Sequence, residues 1–196
     1  MSIVLAILAL IVAASFAGFA LPRFVGWCLF RPYWLLPRRQ YWTVVTSGFV
    51  HANFTHLLFN GLTYWFFALP LERMIGPRRF IALYLVGLIA SNVGTYFKHR
   101  ADPEYACLGA SGAILAVLFA SIIYYPTSSL MLLPIPVLIP APLYAVLYLA
   151  YSFYASRHPQ GRINHEAHFD GALAGLAFVT LTDWQAWVRA WHALGA

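Results

Sequence analysis

Residues 105–156 read YACLGASGAILAVLFASIIYYPTSSLMLLPIPVLIPAPLYAVLYLAYSFYAS, 52 residues without one Asp, Glu, Lys or Arg. A bilayer core of about 30 Å is crossed by about 20 apolar helical residues, so this run is too long for one span and long enough for two. Pro126-Thr127-Ser128-Ser129 interrupts it with a cluster of turn formers, and the run reads as two helices joined by a short turn. Outward from it, residues 2–22, 52–71 and 80–97 are also free of charge and each suffices for a span. A sixth candidate, residues 167–190, is less apolar because it carries His168, Asp170, Asp183 and Arg189. The reading is an all-α membrane protein of six transmembrane helices.

Composition agrees. The chain of 196 residues is 62% hydrophobic and 9% charged, with a mean hydropathy of +0.72, against roughly 25% charged residues in ordinary soluble domains. Six spans leave only short loops, so residues 1–196 form a single membrane-embedded domain. The first segment lacks the basic leader and short apolar core of a secretory signal and reads as a span. The formal charge of +6 is dispersed over loops; it points to contact with the lipid bilayer rather than nucleic acid. Trp34, Tyr41 and Trp42 in the first loop, and Trp184, Trp187 and Trp191 near the end, suit headgroup depth. Cys28 and Cys107 would share one side of such a bundle, a placement that permits a disulfide without requiring it, and they read as small semi-buried residues.

A polar side chain in hydrocarbon is costly unless paired, which makes intramembrane Ser, His and Asn candidates for function. Single residues such as Ser47, Ser91 and Ser121 read as helix glue or as bonded to their own helix. His56 and Asn60 lie one helical turn apart and share a face, so together they can serve an oxyanion. Ser111, flanked by Gly109, Ala110 and Gly112, and His168, followed by Gly171 and Gly175, have the chemistry of a nucleophile and a general base on helices that can approach closely.

Taken in order, His56-Leu57-Leu58-Phe59-Asn60 in the second span, Gly109-Ala110-Ser111-Gly112 at the start of the fourth, and Ala167-His168-Phe169-Asp170-Gly171-Ala172-Leu173-Ala174-Gly175 in the sixth resemble the rhomboid family of intramembrane serine proteases. His51, five residues before His56, and Glu72-Arg73 with Gly76 also look like the family's arrangement. The resemblance implies a six-helix rhomboid-like bundle and a Ser111–His168 dyad with no third acid. It implies an oxyanion held by His56, Asn60 and backbone amides around Gly109 and Ser111, with His51, Gly112, Gly171 and Gly175 in support. No cofactor and no metal are implied, and the partners would be single-span transmembrane proteins cut in or near the membrane. The location implied is the bacterial cytoplasmic (inner) membrane.

Three positions depart from the family pattern. Thr43 follows Trp42 where Arg is common. Leu115 stands four residues after the serine where an aromatic often packs on the catalytic imidazole, so another ring is expected to support His168. Asp170 replaces a neutral residue and, two positions from His168, is expected to face a loop or polar pocket rather than the imidazole. A metalloprotease reading of His165-Glu166-Ala167-His168 fails because zinc-binding H-E-x-x-H needs its histidines four apart. A transporter would show paired broken halves, and none appears. A silent relative that binds helices without cutting them is expected to lack the serine or the histidine, and both are present.

The family's topology would put both termini in the cytoplasm. That leaves Arg73, Arg78, Arg79 and Arg189 inside and Arg23, Arg31, Arg38, Arg39, Lys98, Arg100, Arg157 and Arg162 outside, against the usual positive-inside bias. Pro134, Pro136, Pro140 and Pro142 fall in the first half of residues 130–156, which predicts weak internal hydrogen bonding there and a lateral gate beside the second helix. The simpler alternative is a loop over residues 126–136, with a regular helix from about Val137 that tolerates Pro140 in its first turn.

Overall fold

The computed structural model describes residues 2–131, 137–158 and 163–195. In chain order, α1 (Ile3–Ala20) leads into a structured first loop of α2 (Pro22–Cys28), α3 (Pro32–Leu35), α4 (Thr43–Thr46) and a 3₁₀ turn at Ser47–Phe49. Then come α5 (Phe54–Ile75), α6 (Pro77–His99), α7 (Ser111–Tyr124), the short strands β1 (Ser129–Met131) and β2 (Leu138–Pro140), α8 (Ala141–Arg157), α9 (His165–Thr182) and α10 (Gln185–Ala193).

The centre is α7. Every residue from Gly112 to Ile123 is buried, as expected of a helix that is apolar all round. Helices α5, α6 and α9 enclose it, while α8 packs chiefly on α9. Outward faces carry exposed Leu10, Phe16, Trp65, Phe66, Ile89 and Val146, whereas Ser15, Asn60, Ser91, Thr95, Ser121 and Ser152 are buried. Apolar outside and polar inside is the pattern of helices in lipid, where small and hydrogen-bonding residues make the interhelical contacts. By length and composition, α1 and α6 are sufficient to cross a membrane.

Local chemistry fixes the ends. Asn53 caps α5 by accepting from the His56 amide at 2.8 Å. Buried Glu72, in the last turn of α5, accepts from the Ile3 amide at 2.8 Å and from the Ser2 hydroxyl, placing a carboxylate at the positive N-terminus of α1. Gly76 adopts φ +80° between α5 and α6, a conformation that favours glycine, and Pro77 opens the next helix.

Several expectations need correction. The sixth segment is not one helix over residues 167–190, because α9 stops at Thr182 and Asp183 leaves the helical conformation. Asp183 Oδ2 accepts from Tyr124 Oη at 3.1 Å and from Arg189 at 2.7 Å. Against the upward pull of its slight burial, these bonds hold the Asp183 carboxyl below the usual carboxylate range. After it, α10 is amphipathic, with Ala186 and Ala190 buried and Trp184 and Trp191 exposed. The description all-α is also too strict. The strands β1 and β2 pair antiparallel, Ser129 against Pro140, and Phe30 and Cys107 exchange two backbone bonds of 3.0 Å each.

Neither alternative for the prolines is met as stated: the helix does not start near Val137, because Leu138–Pro140 pair as β2 and α8 begins at Ala141. Pro140 is the N-cap of α8 and Pro142 lies in its first turn, where a missing amide costs nothing. Pro134 and Pro136 lie outside the described residues, as does Arg162. Cys28 and Cys107 are both free thiols.

The first loop is tied down without an arginine after Trp42. Trp42 stacks on Trp27 at 5.7 Å and donates to its carbonyl at 3.2 Å. Thr43 is buried and donates to Gln40 O at 2.6 Å, and Asn92 of α6 donates to Val44 O at 3.0 Å.

Candidate active site

Ser111 is the first residue of α7, and His168 lies in the first turn of α9. Their side chains meet, Ser111 Oγ to His168 Nε2, at 2.8 Å. The approach depends on missing side chains. A β-carbon at Gly171 would run into the backbone of Gly112, and one at Gly175 into the backbone of Ala116, so α9 lies directly on the main chain of α7. On the other flank, Gly112 admits the Ser91 side chain of α6 and the carbonyl of Ala167.

Gly109 precedes the helix with φ +121°, a backbone state that residues with a β-carbon rarely adopt. The His56 ring occupies the space a side chain there would need. The Gly109 amide donates to Ser47 O at 2.9 Å, so of the two amides expected at an oxyanion, Gly109's is already engaged. The Ser111 amide, at a helix N-terminus, has no intrahelical partner.

His51 is buried and links three elements. Its Nδ1 lies 2.9 Å from Ser15 Oγ of α1, the serine donates onward to Phe49 O at 3.2 Å, and Nε2 faces the Ala110 amide at 3.5 Å. One neutral tautomer satisfies the set, with hydrogen on Nδ1. The His51 ring meets the edge of His56 at 4.8 Å. Asn60 is buried and one of its amide hydrogens goes to His56 O at 3.1 Å, leaving the other unassigned.

Asp170 faces neither a loop nor a polar pocket. It is half-buried against α6, where Gly94 makes room for its carboxylate, and its Oδ2 has no partner among the described residues. Tyr148 of α8 was not anticipated. Its hydroxyl lies 3.2 Å from His168 Nδ1. A cavity of about 20 Å³ behind the serine is lined by Ser47, Ser91, Asn92, Cys107, Gly109 and Asn164, among others, room for a single water. A larger one of about 180 Å³ lies between α5 and α8, lined by Phe59, Thr63, Phe66 and Phe67, by Leu118 of α7 and by Tyr144, with β1 alongside.

Comparison with known proteins places the chain in a family. The profile of the Rhomboid domain matches residues 38–184. The chain is 44% identical over 78 residues to the protein named "Putative rhomboid protease YdcA" of Bacillus subtilis (strain 168), covering 40% of this chain and 38% of that one. It is 29% identical over 168 residues to the mitochondrial presenilin-associated rhomboid-like protein of Rattus norvegicus, covering 77% and 42%. To the mitochondrial RHOMBOID-like protein 12 of Arabidopsis thaliana it is 29% identical over 157 residues, covering 71% and 46%. The aligned stretches span less than half the length of these relatives. With the family profile matching most of its length, the chain belongs to the rhomboid family of integral membrane proteins.

Proposed function

We propose that this protein is an intramembrane serine endopeptidase that cuts transmembrane or juxtamembrane segments of single-span proteins. The observation that carries the reading is the 2.8 Å pairing of Ser111 Oγ with His168 Nε2 at the N-terminus of a buried helix. Ser111 attacks the scissile carbonyl while His168 takes its proton, then passes that proton to the leaving amine as the C–N bond breaks. Water, activated by His168, hydrolyses the acyl-enzyme and regenerates the serine. Developing charge on the carbonyl oxygen is met by the Ser111 amide, the positive end of α7, His56 and Asn60. In this reading α1, α5, α6, α7, α8 and α9 are the six spans, and the bacterial cytoplasmic membrane is the location. A substrate helix must unwind before its bond is exposed, so small or helix-breaking residues are expected near the cleavage site.

The test is incubation of purified protein with a panel of single-span substrates beside Ser111→Ala. Cleavage by the wild type alone supports the proposal. Binding without cleavage by either protein would favour a silent relative.

His56→Ala is expected to slow cleavage about 10²- to 10³-fold, the usual cost of one oxyanion donor. Asn53→Ala is expected to leave the rate nearly unchanged and to lower thermal stability by about 1 kcal/mol, because its side chain caps α5. Cleavage rates and melting curves compared for the two variants would expose a wrong assignment of the α5 face.

We infer that substrate enters at the cavity between α5 and α8, which Phe67 and Tyr144 line. Tyr64 is fully buried and turned toward Phe80 and Tyr84, so Phe67 is the better partner for a crosslink. A disulfide between Phe67→Cys and Tyr144→Cys, verified on gels, is expected to block cleavage of a transmembrane substrate and to release it on reduction. Full activity in the locked protein would put the route elsewhere.

A further inference from the structure

We propose that Tyr148 of α8 is a positioning residue for the base, fixing the tautomer and orientation of His168; the proposal rests on the dyad reading above. To accept the Ser111 proton, the imidazole must present an unprotonated Nε2 and carry its hydrogen on Nδ1. That hydrogen needs an acceptor, because a buried donor without one favours a ring flip or the other tautomer. Among the described residues no carboxylate fills the role. The nearby Asp170 turns toward Gly94 on α6, and His165, whose ring centre lies 6.0 Å from that of His168, meets it edge to face.

The Tyr148 hydroxyl is 3.2 Å from Nδ1. A phenol can either donate or accept, and only acceptance from Nδ1–H leaves Nε2 free for Ser111. The next turn of α8 supplies the bias. Ser152 is fully buried one helical turn beyond Tyr148, and its Oγ has no hydrogen-bond partner among the described residues. If that hydroxyl donates to Ser152, its oxygen is left to accept from His168. The directed chain then runs Ser111 Oγ–H to Nε2, Nδ1–H to Tyr148 Oη, and Oη–H to Ser152 Oγ, each hydrogen used once.

The phenol is itself held in place. The Tyr148 ring lies 5.8 Å from Phe119 of α7 and stacks on Tyr144 at 5.5 Å, in a cluster that includes Leu115. Support that the residue four after the serine does not give from α7 is thus supplied from α8, as a hydrogen bond rather than a stacked ring.

The experiment is Tyr148→Phe in the full chain, which keeps the ring and removes the oxygen. Two quantities are read: the labelling rate of Ser111 by a small fluorophosphonate, and kcat and KM on a single-span substrate. Labelling and kcat are expected to fall together by about 10- to 100-fold, at or below the lower end of the full contribution of a positioned base, with KM within about twofold. Ser152→Ala, a milder change, is expected to lower both by about two- to tenfold, the value of one ordinary hydrogen bond. Unchanged labelling and kcat in Tyr148→Phe would overturn the proposal. So would a raised KM with constant kcat, which marks a residue that only shapes the substrate path. If Tyr148→Phe fails to fold, Ser152→Ala decides, and its wild-type labelling and kcat would overturn the proposal too. A wild-type protein with no Ser111-dependent labelling or cleavage would remove the dyad reading and this inference with it; wild-type activity that ignores both substitutions removes this inference alone.

Discussion

Ser111→Ala and His168→Ala are each expected to lower cleavage of a single-span substrate by about 10⁴-fold or more, and the double variant by no more than either alone. The non-additivity follows from the geometry. Ser111 Oγ and His168 Nε2 share one hydrogen bond of 2.8 Å, so a serine without its base is a poor nucleophile and a base without its serine has nothing to deprotonate. Neither side chain carries the helix packing, which runs through Gly112, Gly171 and Gly175. Melting temperatures in detergent are therefore expected to stay near wild type. Cleavage should also be indifferent to chelators. Near-wild-type turnover in either single variant would sink the dyad.

The second large effect is expected from adding one methyl group where α9 crosses α7. In Gly171→Ala the new β-carbon would meet the carbonyl oxygen, carbonyl carbon and Cα of Gly112 at distances no β-carbon tolerates. All three atoms are backbone, so no side chain can rotate away and the helices must part. Gly112 is the neighbour of Ser111, and the displacement falls directly on the Ser111–His168 bond. A shift of about 1 Å at a reacting pair costs about 10²-fold in rate, and overpacking of this kind costs about 1–3 kcal/mol in stability. Gly175→Ala meets Ala116 in the same way but one turn farther from the serine, so its stability loss should be similar and its rate loss smaller. Gly26→Ala is the control, since nothing lies within 4 Å of the β-carbon it would add. Wild-type rate and melting temperature in Gly171→Ala would show that α7 and α9 do not meet on bare backbone.

Freedom from charge was a good guide to helix position and a poor guide to helix ends. Residues 2–22 and 80–97 lie within a few residues of α1 and α6, because burial in lipid excludes charge along the whole length of a helix. The sixth segment carries Asp170, Asp183 and Arg189 and reads through them as one span, because the tryptophans and alanines of α10 hide the change of direction at Asp183. The hairpin of β1 and β2 was hidden for a related reason. Its residues are as hydrophobic as a span, and only backbone pairing, which no side-chain pattern records, distinguishes them.

At the site, the spacing of His56 to Asn60 and the small residues around Ser111 and His168 were readable because they are local. What they could not convey is which donor is free. The bond from the Gly109 amide to Ser47 O bridges 62 positions, and Tyr148 reaches His168 from a different helix. Ser2 and Glu72, 70 residues apart, belong to the same class of contact. Leu115 did hint that support for the imidazole must come from elsewhere, without saying from where.

The length of α7 has a last consequence. Its 14 residues rise about 21 Å at 1.5 Å each, roughly 9 Å short of a 30 Å hydrocarbon core. At the far end Tyr124 bonds Asp183, Asp183 bonds Arg189, and Trp184 and Trp191 face outward, a set that on the proposed topology sits at the water boundary. The shortfall therefore lies at the serine. On the proposed topology the helix is a depth gauge: a peptide bond is reachable when it sits about six helical residues inside the apolar stretch that carries it. Lengthening that stretch on the serine's side would carry the same bond below the reach of Ser111, and selection would follow position along the bilayer normal as much as side-chain identity.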